Sequence, residues 1–138
     1  MARERGSATL EAAILTPALI LLIGLVAIAG RIQIAEGAVE HAAAVAARDA
    51  SLARTPDGAQ VAATDAAARE LTAQGITCAP VSVTIDTSAY AAPVGHGATI
   101  AAAVTCTVTF EDLVLPGLPG ARTLTAQATS VLDRYRSR

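Results

Sequence analysis

The chain has 138 residues, a net charge of −2 and 53% hydrophobic residues, much of that alanine. All ten basic residues are Arg, and they form no basic stripe interleaved with aromatics, so nucleic-acid binding has no support. One Phe, two Tyr and no Trp leave a thin core, because alanine favours helix but buries little area. The length suits one small domain beside a membrane helix, and such a domain gains from a staple or a partner.

Arg3 and Arg5 sit in a polar leader that ends at Gly6 and is too short to fold by itself. Ser7 to Leu10 lead to a lone acid, Glu11, and Ala12 to Gly30 then run for 19 residues without a formal charge. A helix of that length spans about 28 Å, close to the bilayer hydrocarbon. A carboxylate at the lip of such a run is costly in lipid and marks a functional position. The plainer reading is an acid that starts a helix, where it suits the positive dipole end. A secretory signal would carry its apolar stretch before the cleavage site. A run of this length reads as an anchor that stays with the protein. Pro17 inside the run predicts a kink or local melting, with the Thr16 hydroxyl available to the disturbed backbone.

The stretch Gly6-Ser7-Ala8-Thr9-Leu10-Glu11, followed by the apolar run with Pro17 and closed by Gly30-Arg31, resembles the class III prepilin signal. More narrowly, it looks like the TadE-like minor pilins or pseudopilins of tight-adherence (Flp) type IV pilus systems. That resemblance implies a structural protein and no enzyme. A prepilin peptidase would cut after Gly6, and Glu11 would become the fifth residue behind a new Ser7 amine. During assembly Glu11 would pair with the Ser7 amine of a neighbouring subunit. Other pilin-like subunits, the assembly platform and the membrane are the implied partners. The peptidase acts at the cytoplasmic face, so residues after Gly30 would lie outside the cytoplasm, in a single-pass membrane protein or in the pilus. The chain departs from the family's usual pattern at Ile28-Ala29, where an acid and an aromatic often precede the Gly-Arg. Ala12 and the length differ from the short Flp major pilins, which usually carry Tyr after the Glu. The alternative is an unprocessed single-pass protein whose outer domain binds a ligand or partner.

The helical pattern continues through Ile34, Val39, Ala43 and Ala46, giving one long helix over 7–54 with a membrane span over about 12–30. Glu36 and Glu40 read as a like-charge pair on a solvated face. Residues 55–138 form the extracytoplasmic domain. Thr55 and Pro56 cap a second amphipathic helix, and Gly75 ends it. Val81, Val83 and Ile85 alternate with polar residues as a first strand. Residues 89–97 form a loop. Ile100 to Phe110 form a second strand, Leu115 to Gly120 a two-turn connection, and Leu124 to Leu132 a third strand. The fold class is α+β: two helices packed on a three-stranded antiparallel meander.

Cys78 and Cys106 are an even pair in the outer part, which favours a disulfide over two free thiols. A hairpin turning near residue 92 brings them together. Cys78 has the wrong parity for the apolar face of its strand, and Pro80 could break the alternation. His41 reads as a helix-surface residue and His96 as a loop residue; with the cysteines they match no zinc spacing, so no metal or other cofactor is expected. The serines lack a nucleophile-elbow context, and Glu111-Asp112 reads as a solvated strand end. No catalytic constellation is present.

Overall fold

The computed structural model describes residues 3–93, 95–109 and 120–132. The first helix, α1 (Arg3–Leu52), runs for 50 residues. Its start is earlier than the sequence pattern predicts: the last residues of the leader are helical, as Arg and Glu are good helix formers. It also stops at Leu52, before Arg54. Pro17 does not interrupt it. The Thr16 hydroxyl donates to the Ala12 carbonyl at 2.6 Å, one position before the Ala13 carbonyl that Pro17 deprives of a partner.

Thr55 caps α2 (Pro56–Ala73) by accepting from the Gly58 amide at 3.1 Å, with Pro56 at the first helical position. The end of α2 is a Schellman turn: Gly75 N–H donates to Thr72 O and Ile76 N–H to Leu71 O. Gly75 takes φ +71° there, a conformation that costs other residues a Cβ clash.

Three strands follow, β1 (Val81–Ile85), β2 (Thr99–Thr109) and β3 (Ala121–Val131). They form an antiparallel meander in the order β1-β2-β3. Val83 faces Val104, and Val104 faces Ala126. The even residues of β2 are buried from Ile100 to Val108, as the alternation predicts. Phe110, Glu111, Asp112 and the connection from Leu115 to Pro119 lie outside the described residues.

Both helices cover one face of the sheet. α1 packs on β2 and β3, and α2 packs on α1 and β1. The seam between the helices is built from Ala35, Ala42, Ala46, Ala59, Ala63 and Ala67, all fully buried. Methyl side chains let helix axes approach closely, and this gives helical order with little apolar area per residue. The larger buried side chains are few: Val39, Ile100, Val104 and Cys106 are the largest that are fully enclosed.

One element has no counterpart in the sequence reading. Residues Thr87–Ala91 form a single 3-10 turn, whose last three residues fall in the loop expected over 89–97. The Asp86 carboxylate caps it by accepting from the Ser88 amide at 2.9 Å.

Candidate functional site: the N-terminal helix and the domain that holds it

The two halves of α1 differ in what covers them. Its apolar side chains are exposed all round the first half: Leu10 is 68% exposed, Leu21 74% and Val26 64%. From Ala35 onward one face is buried against α2 and the sheet. Among the described residues this is one helix long and apolar enough to cross a membrane. A helix that is apolar on every side and, among the described residues, covered by nothing needs lipid or other helices around it.

Glu11 lies on this exposed half, one turn beyond Ser7 on the same helix. A spacing of four residues puts the two positions on one helix face. Gly6 is in the first turns of α1.

The outer half of α1 is fixed by contacts that sequence spacing could not reveal. The Tyr90 hydroxyl donates to the carbonyls of Ala50 and Ala53, at 2.8 and 3.0 Å. Ala50 is in the last turn of α1, where its carbonyl also accepts from the Ala53 amide, and Ala53 directly follows the helix. Ser130 Oγ lies 3.1 Å from Ser51 Oγ, and the Ser51 hydroxyl donates to the Arg48 carbonyl. Arg122 on β3 pairs with Glu36 at 3.0 Å, and Gln33 donates to the same carboxylate. Glu36 is therefore not half of a merely solvated pair with Glu40; its charge is met from β3. Arg69 pairs with Asp49 at 3.3 Å, and His41 faces Glu70 at 3.5 Å. These pairs are exposed, so they set the register of the elements more than they stabilise them.

Cys78 and Cys106 form a disulfide with Cα atoms 5.2 Å apart. The parity objection disappears because residues 79 and 80 form a bend outside β1. Ala79 N–H donates to Thr107 O, and Thr107 N–H donates to Pro80 O, so Cys78 leaves the strand's alternation. Cys106 is fully buried, and Cys78 packs against the core. His96 is exposed in its loop, and His41 lies on α1. Among the described residues no three of His, Cys, Asp and Glu converge.

The profile of TadE-like proteins matches residues 6–48. The chain carries a TadE-like segment. No curated protein and no solved structure matches the chain significantly. The TadE-like segment begins at Gly6 and lies wholly within α1. It takes in the exposed apolar half, Glu11, and the part of the alanine seam up to Arg48. The disulfide, α2 and the sheet fall outside it.

Proposed function

We propose that the protein is a structural minor pilin or pseudopilin of a tight-adherence pilus system. It is held in the membrane by α1 and processed by a prepilin peptidase after Gly6. The observation that carries this reading is the placement of the TadE-like match, which opens at Gly6 and follows α1. Cleavage there frees an amine at Ser7. Glu11 then lies one turn inside the new end of the chain, in the half of α1 that its own domain leaves uncovered. A carboxylate in that setting needs a cation, and the Ser7 amine of a neighbouring subunit is of the right sign and depth. The leader meets the peptidase at the cytoplasmic face, so the domain over 55–138 lies on the other side, where the disulfide is at home. The partners are the peptidase, other pilin-like subunits and the assembly platform.

Two variants separate the steps. Gly6→Val places a side chain where the peptidase must approach the backbone, and leaves uncut precursor in the membrane. Glu11→Ala is still cut but fails to join other pilin-like subunits. Leaving one member of a buried ion pair alone costs on the order of 3 to 5 kcal/mol, enough to abolish assembly. The mass of the N-terminus reads the first step and crosslinking to partner pilins reads the second. If wild-type protein co-expressed with a prepilin peptidase keeps residues 1–6, the pilin reading fails and an unprocessed single-pass membrane protein takes its place.

A further inference from the structure

The two edges of the sheet are treated differently. β1 is five residues long and is preceded by Pro80. Its outward carbonyl at Val83 accepts from Gln60 Nε2 of α2 at 2.8 Å. A short strand with an edge carbonyl already engaged is closed to further pairing.

β3 is the opposite. Leu132 N–H donates to Ala98 O, which continues the register that pairs Ser130 with Ile100 and Ala126 with Val104. In an antiparallel ladder this assigns the even residues of β3 to bonding with β2. The odd residues, Thr123, Thr125, Gln127, Thr129 and Val131, turn their N–H and C=O groups away from it. Among the described residues no strand pairs with that row. The strand is 11 residues long, and its one charge, Arg122, is near its start. Over Thr123 to Val131 it has no Pro and no charge, the features that usually guard an edge. Beside it runs a shallow groove of about 370 Å³, lined by His41, Ala44, Val45 and Arg48 of α1 and by Thr129 and Ser130. Arg48 is exposed, and among the described residues no carboxylate pairs with it.

We propose that the edge of β3 left unpaired among the described residues and the adjoining groove bind an extended strand of a different protein chain, one whose groove-facing side carries a carboxylate for Arg48. Backbone pairing supplies the attraction, and the groove selects small side chains and the acid. A second copy fits less well. β3 has no acid to offer Arg48. Antiparallel pairing of two β3 strands needs a twofold axis normal to the sheet, which reverses α1 in one copy and sends the two membrane anchors in opposite directions. That step rests on the membrane-anchor reading; the charge argument does not. Stacking β3 on the β1 of another copy is opposed by the Gln60 bond to Val83.

The test uses the full chain in lipid nanodiscs and two synthetic strands, acetyl-Thr-Val-Thr-Glu-Thr-Val-Thr-amide and its twin with Lys for Glu. The readout is amide hydrogen exchange along β3. The Glu strand should slow exchange of the odd-residue amides by about tenfold at saturation while the even row is unchanged. Gln127→Pro removes an outward N–H that the fold does not use, and should abolish the effect while the β2 amides stay protected. Arg48→Glu, a surface change, should weaken the Glu strand by up to about fivefold and favour the Lys strand. No protection by either strand overturns the proposal. So does equal protection by both in the wild type, or protection that appears without peptide and grows with the number of copies per disc, which would make the occupant a second copy. Processing at Gly6 is not read by any of these measurements, so failure here leaves that question apart.

Discussion

Removing the disulfide should cost this domain about as much stability as truncating one of its few large core side chains. Cys78 and Cys106 are 28 positions apart, and the bridge ties the approach to the edge strand β1 to the middle strand β2. In the chain-entropy treatment a loop of that size contributes about 3 to 4 kcal/mol by restricting the unfolded chain. The alanine-rich core makes this a large share of the total, since each buried methyl is worth only about 0.8 kcal/mol. Cys78→Ala with Cys106→Ala is the suitable perturbation, because alanine leaves no polar group at the fully buried position 106. Exchange of the β2 amides at Ile100, Ala102 and Val104 should speed up by roughly 200- to 900-fold, if those amides open only by unfolding of the domain. Reduction of the wild type should produce a similar change. Exchange within about fivefold of the oxidised wild type would refute the reasoning, because the bridge would then contribute no more than about 1 kcal/mol. Full labelling of both thiols in native, non-reduced protein would do so more directly.

Two smaller effects should be measurable in the same protein. Tyr90→Phe removes the donor that Ala50 and Ala53 share, and should lower stability by about 1 kcal/mol; an unchanged denaturation midpoint would show that water replaces the phenol without loss. The Asp86 carboxyl is held below its ordinary value, first by the Ser88 hydroxyl and then by the Ser88 amide. Its contribution to stability is therefore present above the unfolded carboxyl value and is lost as pH falls through the lower folded value. An NMR titration of Asp86 should show the depressed midpoint, and Ser88→Ala should raise it; a wild-type midpoint at or above that of a free Asp would contradict this.

The elements of this fold were legible because each has a period that its solvent enforces. Ile100 to Val108 alternate because one face of β2 meets helices and the other meets water. Thr55-Pro56 and Gly75 mark the ends of α2 by backbone chemistry that acts within a few residues. What stayed hidden is what depends on distance in space. The turn at Thr87–Ala91 is too short to show a helical period, and its stability comes from Asp86 before it and from the Tyr90 contact with α1. Glu36 looked solvated because its partner, Arg122, is 86 positions away. The parity of Cys78 misleads for a local reason: residues 79 and 80 both bond to Thr107, and the alternation does not run through that bend. For Gly6 and Glu11 the sequence offers only a pattern, since their proposed chemistry lies between chains.

The continuity of α1 joins these parts mechanically. Between Gly30 and Ala35 the helix passes from a fully exposed apolar surface to a buried alanine face with no break in the backbone. At 1.5 Å per residue the stretch from Arg31 to Leu52 extends about 32 Å beyond the apolar run. α2, β2 and β3 are packed directly on that extension, and Tyr90, Ser130 and Arg122 fasten it at its end and along its side. The domain therefore has no linker about which to swing. Its orientation follows the rotation of the anchor, at about 100° per residue for an α-helix. Insertion of one alanine after Ala29 should leave the domain's own contacts intact and turn it by roughly that angle relative to the apolar half. If neighbouring subunits engage both the exposed half of α1 and the outer domain, such an insertion should prevent assembly while leaving the disulfide formed and the leader cut. Assembly that proceeds normally with the insertion would mean that one half of α1 is enough to hold the partners.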